Sequence, residues 1–188
     1  RSDGFIYTRL GNPTIRGLER CVAELEEGAG AVATSSGMAA VATAYLALLG
    51  SGDHVVSTAS VYGPSRILME KHLSRFGITA GYVDTSDLGL VRSALRPETK
   101  MIYVETPSNP LMQITDLRAI AALAHERDAM LVVDSTFASP YLQRPLVLGA
   151  DVVLHSVTKF INGHADVVGG VVIAREETIL RRLREMMI

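Results

Sequence analysis

The chain has a single cysteine, Cys21, so no internal disulfide can form. Apolar runs such as residues 39–49 fall well short of the ~20 residues that a helix needs to cross a bilayer. No charged-then-apolar signal segment opens the chain. Charge of neither sign is in large excess, and a formal net charge of -2 offers no basic field to attract nucleic acid. The five histidines (His54, His72, His125, His155 and His164) are scattered without metal-ligand spacing, so no metal site is expected. Neither a G-x-x-x-x-G-K phosphate loop nor a G-x-G-x-x-G dinucleotide fingerprint is present, which disfavours a nucleotide site. These absences leave a cytoplasmic protein with small-molecule chemistry as the expectation. The chain begins without methionine and stops at Ile188 inside a charged, helix-like stretch (175–187) that carries no stop signal. A partial chain is therefore expected.

The sequence does hold a regular alternation of short β-prone apolar runs with longer amphipathic ones. Residues 31–34, 54–58, 79–83, 101–105, 130–134, 152–155 and 170–174 read as strands. Residues 37–49, 65–75, 87–95 and 116–127 read as helices. In the last, Leu117, Ile120, Ala121 and Leu123 share a helical face and Asp116 suits the N-terminus. Strands that are apolar throughout and alternate with helices predict an α/β fold, a mostly parallel sheet with helices on both faces. Ligands in such sheets gather beyond the carboxyl ends of the strands, so the residues there carry the functional reading.

Two strand ends stand out. The run at 129–133 ends in Asp134, and an acid there also serves as an ordinary cap for the following turn. The run at 150–155 leads into Ser156-Val157-Thr158-Lys159, which brings two hydroxyls and an amine to the mouth of the sheet. A lysine in that setting acts as a phosphate counter-charge, or as a nucleophile toward carbonyls once its pKa is depressed. Pyridoxal phosphate (PLP) asks for such a lysine and for an acid that keeps its pyridine nitrogen protonated. Lys159 and Asp134 could supply these, with Ser156 and Thr158 as hydroxyl donors to the phosphate. The segment Thr34-Ser35-Ser36-Gly37-Met38 sits between a strand and an Ala-rich helix. Its small residues and free first-turn amides suit an anion, although plain capping by Ser35 or Ser36 needs no ligand. His54 and His155, at strand ends, are expected to be packed or hydrogen-bonded, and Cys21 to lie on a helix face.

Six segments taken in order carry a resemblance. They are residues 7–14 (Tyr7-Thr8-Arg9-Leu10-Gly11-Asn12-Pro13-Thr14), Ser36-Gly37-Met38, Val61-Tyr62-Gly63, residues 105–110 (Glu105-Thr106-Pro107-Ser108-Asn109-Pro110), residues 133–140 around Asp134 and residues 155–164 around Lys159. Together they resemble the PLP-dependent Cys/Met metabolism family, which contains cystathionine γ-synthase, cystathionine lyases, methionine γ-lyase and O-acylhomoserine sulfhydrylases. The resemblance implies the large cofactor domain of a fold-type I, aspartate aminotransferase-like enzyme.

It also implies roles. Lys159 would join the cofactor as a Schiff base and shuttle protons. Asp134 would pair with the pyridinium nitrogen, and Tyr62 would stack on the ring and assist the leaving group. Ser36, Gly37, Met38, Thr136, Ser156 and Thr158 would complete the cofactor site, with Asn109 near the 3-hydroxyl and Glu105 bracing the loop. Tyr7 and Arg9 would reach the phosphate of a neighbouring subunit, where the planar arginine fork suits phosphate oxygens. Residues 1–20 would thus form an inter-subunit arm and residues 21–188 the PLP-binding domain. The family's substrate-carboxylate arginine belongs to a C-terminal domain that would be missing here, and if the molecule ends at Ile188, weak or no turnover is expected of it. The assembly implied is a homotetramer, a dimer of dimers.

The implied activity is α,γ-elimination on a sulfur amino acid, giving a 2-oxo acid and ammonia. Replacement, in which a thiol captures the intermediate, is the alternative. Pro64 departs from the glycine or cysteine common after Tyr-Gly, which weakens a methionine γ-lyase assignment, while residues 162–166 resemble lyase and γ-synthase versions. A catalytically inactive cofactor-binding or oligomerisation module is the reading from another class.

Overall fold

The computed structural model describes residues 4–187. Its frame is one seven-stranded sheet built from β1 (Gly30–Thr34), β2 (His54–Thr58), β3 (Thr79–Val83), β4 (Thr99–Glu105), β5 (Met130–Asp134), β6 (Val152–Ser156) and β7 (Gly170–Ala174). The spatial order is β1-β7-β6-β5-β4-β2-β3. β2 to β6 run parallel, and β7 runs antiparallel to both β6 and β1. The mostly parallel sheet expected from the sequence is therefore present, with its exception at β7. All seven strands lie within two residues of the sequence reading, because β-branched apolar runs fit a surface buried on both sides.

Among the described residues six α-helices cover the sheet: α1 (Pro13–Glu26), α2 (Gly37–Leu48), α3 (Gly63–Ile67), α4 (Leu88–Ala94), α5 (Leu117–His125) and α6 (Glu177–Glu185). Strand side chains alternate between faces, so each face has its own core. Ile102 and Val104 of β4 pack with α1, α4 and α5, while Met101 and Tyr103 pack with α2 and α6. α2, which is Ala-rich, lies against β6 and β7. Its thin side chains allow that close seat, and the site depends on it.

Two helical readings need correction. The helix at 65–75 is α3 followed by a wide turn at Leu68–His72 and a tight one at Leu73–Phe76. It begins earlier than read, at Gly63, because Pro64 has the φ of a first helical turn. α1 is anticipated in the sequence only as the helix face that carries Cys21, without bounds, although Asn12 caps it by accepting from the Ile15 amide at 2.8 Å and Pro13 opens it. Asp116 caps α5 as expected, accepting from the Ala119 amide at 3.1 Å. Cys21 lies exposed on α1. Among the described residues no helix is long and apolar enough to cross a membrane.

Candidate active site

The parallel strands β4, β5 and β6 end at Glu105, Asp134 and Ser156, and a cleft of about 220 Å³ opens beyond them. Its lining includes Ser36, Gly37, Met38, Tyr62, Asn109, Asp134, Thr136, Ser156, Thr158 and Lys159. The structure thus brings together ten of the twelve residues read from the sequence as catalytic or cofactor-binding. Glu105, Val41 and Phe137 complete the wall. Tyr7 and Arg9 lie elsewhere. Tyr7 is exposed with the Arg9 guanidinium 5.3 Å from its ring centre, and Arg9 lines a separate cavity beside α1 and β1.

Asp134 is buried and firmly held. Its Oδ1 accepts from the Thr136 amide at 3.1 Å and the Thr136 hydroxyl at 2.6 Å, and its Oδ2 accepts from the Tyr103 hydroxyl at 3.3 Å. The ordinary turn-capping role and a place in the cleft are therefore both realised. Burial raises its pKa, while the Thr136 bonds and then the charge of His155 pull it down. The Thr136 hydroxyl also accepts from the Ser156 amide at 2.9 Å, which ties the β5 exit to β6.

Lys159 sits exposed in the turn after β6, its amide donating to the Ser156 carbonyl at 3.1 Å. Among the described residues no ion pair takes up its ammonium group. Ser36 caps α2, its hydroxyl accepting from the Ala39 amide at 3.1 Å, so the capping role is real. That cap leaves the first-turn amides of Gly37 and Met38 at the cleft. The Thr158 hydroxyl already exchanges hydrogen bonds with Gly169, donating to its carbonyl at 3.2 Å and accepting from its amide at 3.1 Å. To serve a phosphate it would have to turn away from that partner.

Glu105 was read only as a loop brace, and its geometry is more specific. One carboxylate oxygen accepts from the Tyr62 amide at 2.6 Å and the other from the Asn109 amide at 2.9 Å. One buried acid thus fixes the two loops that carry Tyr62 and Asn109. Burial, with the charge of Asp134 second, raises it to about 7. His54 and His155 are both buried; His54 faces the Thr99 hydroxyl at 2.9 Å and His155 faces Glu26 at 2.6 Å. Tyr103 escaped the sequence reading altogether, since an aromatic inside an apolar strand reads as core.

The donor set fits pyridoxal phosphate. It offers an amine for a carbonyl carbon, a buried acid for a ring nitrogen and helix-start amides with a nearby serine for a phosphate. Among the described residues no group of acids, histidines or cysteines could hold a metal.

Comparison with known proteins agrees. A model of the family described as Cys/Met metabolism PLP-dependent enzymes matches residues 1–187. The L-methionine gamma-lyase of Fusobacterium nucleatum subsp. polymorphum is 53% identical over 175 residues, covering 93% of this chain and 44% of that protein. The cystathionine gamma-lyase of Bacillus subtilis is 52% identical over 176 residues, covering 94% of this chain and 46% of that protein. The cystathionine gamma-synthase of Mycobacterium bovis is 51% identical, with 94% and 45% covered. A crystal structure of cystathionine gamma-lyase from Lactobacillus plantarum, complexed with L-serine, superposes with a TM-score of 0.96 at 43% identity, covering 99% of this chain and 49% of that one. The chain spans about half the length of these relatives. With the sheet, the cleft and the match in agreement, the chain belongs to the family of PLP-dependent enzymes of cysteine and methionine metabolism.

Proposed function

We propose that this chain is the cofactor-holding part of a carbon–sulfur lyase that acts on a sulfur amino acid by α,γ-elimination, of the methionine γ-lyase or cystathionine γ-lyase type. The observation that carries the reading is the single cleft in which Lys159 and Asp134 converge from successive strand ends. Pyridoxal phosphate, when bound, supplies an electron sink for charge that develops at the substrate carbons. Lys159 would hold it, Asp134 would keep the proton on its ring nitrogen, and Ser36, Gly37, Met38 and Ser156 would hold its phosphate. Thr136 keeps Asp134 oriented.

Chain groups then move the protons. The Lys159 amine, once the substrate amine has replaced it, takes the proton from the substrate Cα and delivers protons onward. Tyr62 lines the cleft, and its hydroxyl would protonate the sulfur that leaves Cγ. Glu105 holds Tyr62 at that post through its backbone amide.

Replacement at Cγ by a thiol is the second reading, favoured by the 51% identity to a protein named cystathionine gamma-synthase. The two readings separate by product. Methionine, cystathionine, cysteine and O-acylhomoserine with sulfide are supplied in turn to the enzyme. A 2-oxo acid with ammonia supports elimination, and homocysteine formed from O-acylhomoserine and sulfide, with release of the acyl group as carboxylate, supports replacement. Borohydride reduction after PLP uptake should fix the cofactor mass on the peptide that holds Lys159, and Lys159→Ala should abolish it. Labelling at another lysine would sink the assignment. We further propose a cytoplasmic setting and a homotetramer, a dimer of dimers in which Tyr7 and Arg9 serve a neighbouring subunit's cleft.

A further inference from the structure

We infer that Tyr103 is a positioning residue for Asp134, setting the carboxylate oxygen that would receive the cofactor's ring nitrogen. The inference rests on the PLP reading above. Tyr103 lies between Ile102 and Val104 in the middle of β4, with 0% of its surface exposed. Phenylalanine would fill that space without any polar group to satisfy, and a buried hydroxyl without a partner is costly. The hydroxyl is spent on Asp134 Oδ2, at 3.3 Å.

Counting acceptor capacity shows why that oxygen matters. Each carboxylate oxygen has about two acceptor sites. Oδ1 has both committed, to the amide and the hydroxyl of Thr136. Oδ2 has one committed, to Tyr103, and so holds the remaining site of a side chain that lines the cleft. A ring N–H that meets Asp134 would therefore share Oδ2 with the phenol. The Tyr103 ring is itself pinned by Tyr45 of α2, with centroids 5.0 Å apart and planes at 55°. α2 thus presents its first-turn amides at one end of the cofactor site and holds the Asp134 support from within the core. Burial, with the Asp134 charge second, raises the Tyr103 pKa well above 10, so the phenol remains a donor throughout the working range.

The test uses Tyr103→Phe, which keeps the ring and removes the oxygen. Holoenzyme stripped of cofactor is titrated with pyridoxal phosphate and, separately, with its carbocyclic analogue in which carbon replaces the ring nitrogen, and uptake is followed by absorbance. The substitution should weaken uptake of pyridoxal phosphate about tenfold, since it removes a hydrogen bond to a charged group. It should leave uptake of the analogue unchanged and shift the pH dependence of the bound cofactor's absorption band. Equal loss for both compounds would mark a packing defect and overturn the inference, as would no loss for either. Because each preparation is compared with itself across the two compounds, partial misfolding does not mimic the result. In an Asp134→Asn background the Tyr103→Phe effect should vanish, and a full additional loss there would also overturn it. Wild-type protein that takes up neither compound would overturn the functional reading and this inference with it, whereas uptake indifferent to Tyr103 would overturn the inference alone.

Discussion

Glu105 and Asp134 are register partners across β4 and β5, so two carboxylates share one dry corner of the cleft. Burial and the Asp134 charge raise Glu105 from an ordinary 4.5 to about 7, against the pull of the Tyr62 and Asn109 amides. Between those values the folded chain holds a proton that the unfolded chain has lost. By linkage, the Glu105 contribution to stability is present below about pH 4.5 and is lost as pH rises towards 7. Glu105→Gln cannot ionise and should lose that slope, a difference on the order of 3 kcal/mol across the interval. Urea midpoints at several pH values would measure it. Parallel pH profiles for the two proteins would count against a raised Glu105. Little of this residue-scale detail could be read from the chain. Lys159 and Asp134 were legible because each follows an apolar run at a strand end. The Tyr103–Asp134 and Glu105–Tyr62 bonds span 31 and 43 positions and exist only once strand register and the α3 entry are fixed.

At the scale of elements, the site depends on how closely α2 meets β6. A Cβ built on Gly37 would sit 2.6 Å from Ser156 Cβ and 2.7 Å from Ser156 Oγ. The constraint is space, not backbone conformation, and glycine is needed because no side-chain rotation can move a Cβ aside. We expect Gly37→Ala to cost about 1–3 kcal/mol through overpacking and to lift the first turn of α2 away from β6. Calorimetric melting would report the first effect, and weaker PLP uptake the second. Gly17 of α1 is the internal control, since a Cβ there meets nothing within 4 Å and alanine is the better helix former, so Gly17→Ala should melt no lower than the wild type. A matched drop in both variants would refute the close-approach argument. Strands were legible at this scale because their apolar runs are continuous. α1 has a helical signature too, with Ile15, Leu18, Val22 and Leu25 at helical spacing behind Asn12-Pro13, yet Leu18 and Leu25 stay exposed and the helix buries only Val22, Ala23 and Glu26 along its 14 residues. The wide turn at Leu68–His72 has no local signature, since it accompanies the burial of Met69 and Leu73 against the core.

At the scale of the whole molecule, the question is which cleft Arg9 serves. Arg9 and Lys159 line different cavities of the same chain, so a role for Arg9 at the cofactor phosphate requires a second copy. The segment around it is unusually apolar for an exposed stretch, with Ile6 at 89% and Leu10 at 61% exposure. α1 runs unbroken through Arg20 and Cys21 and packs on β1, which leaves the stretch before Pro13 as the part able to reach outward. A shared site has a consequence that no single-chain site has. In a mixed pair of Lys159→Ala and Arg9→Ala subunits, one cleft carries both defects and the other carries neither. Two preparations that are each crippled should therefore recover turnover on mixing under exchange, to about a quarter of wild type for random pairing. The intact cleft in such a pair takes Lys159 from the Arg9→Ala subunit and Arg9 from the Lys159→Ala subunit. If mixed and exchanged samples stay as inactive as their parents while size measurements show hybrid oligomers, Arg9 does not act across subunits.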